Sequence, residues 1–314
     1  MSNLKSSLML LVLSLGGAQL SAVDLGGASV GADWARLDAD ARATGLASAM
    51  TAVGGGLSSL GSNPAGLASL RQATLDAGYL SWVDGSSLQT LRLGLPWGSG
   101  ALALTADSVN AGSIERVVVP AGGGNPTLQG NVEVFFLRLG LTWAQDLGPC
   151  RLGIGLHALD QDLDGVSAWG PSLDLGLSTR TPLTGLSVGA AALSLGPALQ
   201  GAALPRGWRV GAAYLPPFVP SAMLSTDYET LIDDSSSGLV DVGLEVRLHP
   251  NFCVRGGLKL GPSSTAEGYS AGASFFLGPL SLHYVYQQLG SLDASQGLSL
   301  DYAFGDRHDA SSLQ

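Results

Sequence analysis

A chain of 314 residues with 46% hydrophobic side chains, 45 glycines and only 13% charged side chains lacks the polar groups with which a soluble domain coats itself, since about a quarter of such a domain is charged. The formal net charge of −10 argues against a phosphate-backbone partner, which needs clustered Lys and Arg, so no nucleic-acid binding is expected.

Residues 1–22 read as an export signal. Lys5 supplies the positive start, Leu8 to Leu15 form an apolar stretch too short to span a bilayer, and small residues follow around Ala18 and Ala22. No cysteine stands in the cleavage region, so a lipid-anchored form is not expected. Cys150 and Cys253 are the only cysteines. Export permits a disulfide, but nothing in the spacing brings the two together, and two separate thiols are the plainer reading.

Residues 23–72 show no period-two alternation and are rich in alanine and glycine. Within them Asn63-Pro64 predicts a short helix over 64–70, because Asn caps helix N-termini well and Pro at the first helical position gives up no needed N–H. Gly54-Gly55-Gly56 permits close backbone approach or flexibility.

From residue 73 the pattern changes to alternating apolar segments bounded by Gly, Pro, Asn, Asp and Ser, with Gly-Pro turns at 148, 170, 196, 261 and 278. Fourteen strands are predicted: 73–82, 88–96, 101–109, 131–145, 150–159, 172–180, 185–195, 206–215, 221–229, 239–248, 252–260, 269–277, 280–288 and 297–305. Their connections mostly alternate short and long; 110–130, 160–171, 196–205, 230–238 and 261–268 are the long ones. Even strand number, tight turns at one end and longer loops at the other describe an outer-membrane barrel. Trp82, Trp143, Trp208, Tyr214, Tyr269, Tyr286, Tyr302 and Phe304 fall near strand ends, where interfacial aromatic girdles belong.

In the loop expected over 160–171, Asp160, Asp162 and Asp164 match the first half of a calcium loop. Pro171 occupies the position that should carry its bidentate acid. The aspartates are a weak cation candidate beside the plainer reading of a solvated acidic loop. Residues 181–205 carry no charge, but their glycines and Pro197 favour a strand followed by a loop over a membrane helix.

The clearest hairpin spans 238–261. Val240, Val242, Leu244, Val246 and Leu248 share one face, while Asp241, Gly243, Glu245 and Arg247 share the other. A three-residue loop at His249–Asn251 sets Asp241 opposite Lys259 and Glu245 opposite Arg255, each pair contributing roughly 0.2–1 kcal/mol. Alone, this fits either a soluble sandwich or a membrane barrel. Few charges in the whole chain favour lipid outside and these charge pairs in the lumen. Lipid tolerates no open sheet edge, so the last strand must pair with the first. Residues 306–314 are left as a periplasmic tail.

The run "ARATGLASAMTAV" followed by "SNPAGLASL" resembles the N-terminal signature of the PorV/PorQ family, within the group of outer-membrane barrels similar to FadL long-chain fatty-acid transporters. Arg42, Gly45, Asn63, Pro64, Ala65 and Gly66 stand among the matching positions, and the specific resemblance covers residues 41–70. It implies a fourteen-stranded barrel with residues 23–72 folded into its lumen as an N-terminal hatch segment. The first glycine of the pattern is Asp40 here. Family members divide between transporters of hydrophobic molecules and accessory barrels of a type IX-like secretion system.

Catalysis is not expected. Two Gly-x-Ser-x-Gly matches, at Ser187 and Ser270, lie in strands with no helix after them, unlike a nucleophile elbow. His157, His249, His283 and His308 show no metal or triad spacing. The reading is therefore an all-β, closed antiparallel transmembrane barrel of about fourteen strands over 73–305, in the outer membrane of a diderm bacterium, without a cofactor. Its partners would be outer-membrane lipid and a hydrophobic small-molecule ligand. Secretion-system proteins bound through loops 110–130 and 160–171 form the alternative, and an outer-membrane hydrolase the remote one.

Overall fold

A computed structural model describes residues 32–111, 114–118, 125–232, 238–261, 267–290 and 294–305. The leader expected at 1–22, the tail expected at 306–314 and His308 lie outside them. The strands, in chain order, are β1 Thr74–Ser81, β2 Ser87–Trp97, β3 Gly100–Asn110, β4 Ile114–Val118, β5 Thr127–Val132, β6 Val134–Asp146, β7 Cys150–Leu163, β8 Val166–Arg180, β9 Leu186–Leu195, β10 Gly207–Tyr214, β11 Ala222–Leu231, β12 Leu239–His249, β13 Phe252–Leu260, β14 Gly268–Leu277, β15 Leu280–Leu289 and β16 Ser295–Ala303. Fourteen of them form a closed barrel in the order β1-β16-β15-β14-β13-β12-β11-β10-β9-β8-β7-β6-β3-β2, with β4 and β5 as a separate two-stranded sheet. The predicted closure is present: β16 lies antiparallel to β1, with Leu298 opposite Tyr79. No helix among the described residues is long and apolar enough to cross a membrane, and residues 181–205 supply β9.

The alternation sorts the faces. Leu91, Leu104, Leu139, Leu156, Leu224 and Leu258, on six different strands, stand exposed on the outside. A leucine surface continued around a cylinder is unsustainable in water and matches a hydrocarbon surround. The inward positions are polar yet buried, with Asp241, Glu245 and Arg255 at 0%, 2% and 5% exposure. The lumen is therefore filled rather than an aqueous bore.

Four expectations need correction. The loop expected over 160–171 is a hairpin: β7 and β8 run on until Leu163 faces Val166 across Asp164-Gly165. Both turn residues have positive φ, 57° and 82°, as a primed hairpin turn requires. Pro171 is tolerated in β8 because the ladder to β9 stops at Leu173 opposite Leu195, leaving an edge beyond it. The loop at 110–130 contains the β4–β5 sheet. The turn after β12 is tighter than three residues, with His249 opposite Phe252 and an irregularity between Arg247 and His249 that absorbs one residue. Trp82 packs against the interior core instead of joining the outer aromatics, whereas Trp143, Trp208, Tyr269, Tyr302 and Phe304 are exposed.

Beyond that irregularity the β12–β13 register places Val246 opposite Val254, Glu245 opposite Arg255 and Asp241 opposite Lys259. Cysteines introduced at Val246 and Val254, on the face without packing partners, are expected to form a disulfide in the assembled barrel, in a background with Cys150 and Cys253 changed to Ser. A shift of one residue would turn one of the two cysteines inward, and absence of the crosslink on non-reducing gels would refute the register.

Candidate functional site

The lumen holds residues 32–72. Their elements are short: 3-10 turns at Asp33–Arg36, Gly56–Ser59 and Pro64–Ser69, and one helix, α1, at Ala41–Gly45. Local chemistry sets each start. Asp40 caps α1, its Oδ1 accepting from the N–H of Ala43 at 2.8 Å. Asn63 caps the third 3-10 turn with Pro64 in the first position, its Oδ1 accepting from the N–H of Ala65 at 2.9 Å. These elements are too short to hold themselves, and packing on the wall completes them. Leu46, Met50 and Val53 pack with Met223 and Ala213. Leu57 and Leu67 pack with Ala101, Ala103 and Ala144. Trp34 stacks on Phe136 with ring centroids 4.9 Å apart.

The close fit depends on missing side chains in the wall. A Cβ on Gly153 of β7 would stand 2.3 Å from the Ala65 nitrogen, and one on Gly176 of β8 would stand 2.0 Å from Asn63 Oδ1. Gly189 of β9 and Gly257 of β13 face the backbones of Thr51 and Ala47 in the same way, at 2.2 and 2.5 Å. Asn63 Nδ2 uses this proximity to donate to the carbonyls of Thr51 at 2.6 Å and of Leu177 in β8 at 3.0 Å. One asparagine thus ties two parts of the hatch to the wall.

Charge pairs complete the seating. Arg42 in α1 grips Glu245 of β12 through Nε and Nη2 at 3.1 and 2.9 Å, and Arg255 of β13 donates Nε to the same carboxylate at 3.1 Å. Thr51 donates its N–H and hydroxyl to Asp227 Oδ2 at 2.9 and 2.6 Å. Arg209 reaches the Ser48 carbonyl at 2.7 Å and pairs with Asp227, Glu229 and Asp241 of the wall. Lys259 pairs with Asp241 at 2.6 Å. Arg92 of β2, with a side chain 1% exposed, pairs with Asp38 and Asp40 of the hatch and lies 4.0 and 3.8 Å from Asp76 and Asp107 of the wall. Burial pushes the Asp38 carboxyl above its ordinary range, and Arg92 pulls the other way. Gly45 and Gly66 sit where a Cβ would strike Arg255 and Ser59. Asp40, the departure from the resembled motif, is both helix cap and Arg92 partner.

The hatch divides the remaining space. At the long-loop end a cavity of about 300 Å³ lies between hatch and wall, lined by Leu37, Leu80, Trp82, Leu88 and Leu193 together with Arg36, Asp38, Arg209 and Glu229. At the short-turn end two cavities of about 300 and 260 Å³ lie beyond the hatch. The lumen is a stoppered channel with space on both sides of the stopper.

Two chemical candidates find other settings. Asp160 and Asp162 lie in β7 and Asp164 in the turn after it. Asp162 accepts from the Gly165 N–H at 2.9 Å and the Ser167 hydroxyl at 3.0 Å, which makes it a turn cap. No group of three metal-ligating side chains occurs among the described residues. Ser187 and Ser270 lie within β9 and β14, not at an elbow, and His157 pairs with Asp174 at 2.9 Å. The sequence reading missed a Ser–His–Asp chain across three neighbouring strands. The Ser274 hydroxyl meets His283 Nδ1 at 2.5 Å, and His283 Nε2 meets Asp301 at 2.9 Å. Period-two placement on β14, β15 and β16 was the only signal, and it needs the register to be read. Ser274 is 0% exposed, borders neither large cavity and accepts from Arg255 at 2.6 Å. Cys150 and Cys253 are free thiols.

No protein-family model matches the chain, and no curated protein matches it in sequence. Solved structures do match. The CymD monoaromatic hydrocarbon channel is similar with a TM-score of 0.61 at 13% identity, over 85% of this chain and 97% of that one. The Pseudomonas putida toluene transporter TodX is similar with a TM-score of 0.64 at 11% identity, over 91% and 99%. A TodX deltaS2 mutant gives 0.64 at 13%, over 83% and 98%. At these identities the likeness is one of fold, a closed barrel shared with these channels.

Proposed function

We propose that this protein is an outer-membrane channel that admits small hydrophobic molecules from the long-loop side, with the hatch as its gate. The observation that carries this reading is the cavity of about 300 Å³ between hatch and wall, lined in part by Trp82 and leucines and blocked below by the hatch. A dry protein cavity of about 150 Å³ takes up benzene, so the space suits a single-ring hydrocarbon. The passage of monoaromatic hydrocarbons and toluene by the structural neighbours supports the same substrate class. The leader at 1–22 supports export, and the motif over 41–70 supports the finer placement in the PorV/PorQ group.

The test locks the gate. Ala41 of the hatch donates its N–H to Ser299 of β16 at 3.3 Å. Cysteines at these two positions, with Cys150 and Cys253 changed to Ser, are expected to abolish uptake of labelled toluene by whole cells when oxidised, and reduction should restore it. Uptake unaffected by a formed crosslink would overturn the gating.

A second reading, a docking barrel for secretion-system proteins, is favoured by the β4–β5 sheet. It leaves Val117 and Leu128 exposed and is tied to the β7–β8 turn by an Arg116–Asp164 ion pair. Partners retained after gentle detergent extraction, and lost on deletion of residues 114–132, would support it.

A further inference from the structure

We infer that the cavity at the short-turn end, bounded by Arg42, Arg71, Arg247, Arg255 and His283, is a binding site for a small oxyanion, a phosphate or carboxylate group. The site is independent of the hydrophobic passage proposed above. It holds about 300 Å³, equal to the cavity at the other end. Four guanidiniums meet there in a chain whose formal net charge is −10.

Two carboxylates border the same space, Glu245 and Asp301, and both are engaged. Glu245 serves Arg42 and Arg255 together. Asp301 accepts from His283 at 2.9 Å. Arg71 donates Nη1 to the Ala68 carbonyl at 2.8 Å, and its one ion-pair contact among the described residues is a distant one, 3.9 Å to Asp146. Arg247 makes no ion pair among the described residues; Nη1 donates to the Pro250 carbonyl at 3.0 Å, and the guanidinium lies 4.6 Å over the Phe276 ring. The positive charge is therefore in excess of its partners.

Donors are left over as well. Arg255 has a side chain 1% exposed, and its Nη1 has no hydrogen-bond partner; neither has Nε of Arg247. A buried N–H of a charged group without an acceptor costs more than most interactions return, so such donors are retained where an acceptor visits. Guanidiniums present a planar fork that matches the paired oxygens of carboxylate and phosphate. The hatch forms the roof with Gly54-Gly55-Gly56, leaving no side chains there to fill the space. Access exists from the mouth, where the Arg71 side chain is 62% exposed just ahead of β1.

The oxyanion has two sources, a free ion or the head of an amphipathic molecule. Calorimetric titration of the full-length protein in a neutral detergent separates them, with inorganic phosphate, decanoate and decanol as probes. At least one of the two anions is expected to bind at one site, with Arg247→Gln weakening it tenfold or more. Arg71→Gln, at the exposed mouth, should weaken it about threefold with the barrel intact by heat-modifiability, and it carries the test if the first variant fails to assemble. Tighter binding of decanoate than phosphate assigns the site to an amphiphile head, and comparable binding assigns it to a free ion. Absence of binding by both anions, or affinities unchanged in the variants, would overturn the assignment, as would equal sensitivity of decanol to Arg247→Gln. Toluene uptake should be unaffected by Arg71→Gln, so failure here leaves the channel reading standing.

Discussion

Arg92→Met is expected to free the hatch from the wall. The arginine is the single cation shared among Asp38, Asp40, Asp76 and Asp107, and it also donates to the Leu57 carbonyl at 3.3 Å. Methionine keeps much of the volume and removes the charge. Carboxylates from hatch and wall are then left facing one another out of water, with Arg138 on Asp107 the one ion pair left to them among the described residues. Breaking a buried pair in this way costs about 3–5 kcal/mol, more than short 3-10 turns can absorb. The barrel ladder itself does not depend on this residue, so the variant should still assemble. Limited proteolysis should now cut within residues 32–72, and planar bilayers should show a conductance that the parent lacks. The sign with pH follows from the acids. As pH falls Asp38, held high by burial, takes up a proton and repulsion is relieved, so protection of the hatch should return in acid. A hatch as resistant as the parent's at neutral pH would show that Arg92 is not its anchor.

Adjacent residues of β12 give the second large effect, with opposite consequences. Leu244 is mid-strand on the outer face and 47% exposed. Arginine there, near the bilayer midplane, costs about 2–4 kcal/mol, and Leu244→Arg should prevent assembly, read as loss of the heat-modifiable band. Gly243 points inward. In an open pore Gly243→Arg would be harmless, because the side chain would reach water. Here a Cβ at 243 already meets Ser225 Oγ at 2.8 Å and Leu46 at 3.0 Å. The variant should assemble with the hatch pushed out of place and open to protease. Normal assembly of Leu244→Arg would mean the faces are assigned backwards. An undisturbed hatch in Gly243→Arg would mean that the lumen has more room than the packing indicates.

The wall was legible because lipid imposes a simple grammar. Period-two alternation, Gly-Pro turns and the prohibition of open edges suffice to place fourteen strands and join β16 to β1. The errors fall where turn-forming residues lie inside strands. Asp160 to Leu163 and Gly170-Pro171 carry loop chemistry, yet the β7–β8 ladder continues through them, since a proline on an edge sacrifices little. Trp82 looked like a girdle residue because its position at a strand end is the same whether it faces in or out. The Asn63-Pro64 cap could be read locally, because capping is a local interaction. The Asn63 bond to Leu177 and the Arg92 cluster could not, because they join residues far apart in the chain. The same holds for Ser274, His283 and Asp301, and for the arginines at the short-turn mouth.

The glycines that receive the hatch make its outline a property of two distant parts of the chain. Gly153, Gly176, Gly189 and Gly257 are a mould, and the backbone around Thr51 and Asn63 is its cast. A hatch transplanted from another barrel would meet recesses in the wrong places, and this barrel deprived of its own would keep hollows that no other segment fits. Plug and cylinder must therefore change together in descent, and chimeras that exchange only one of them should leak.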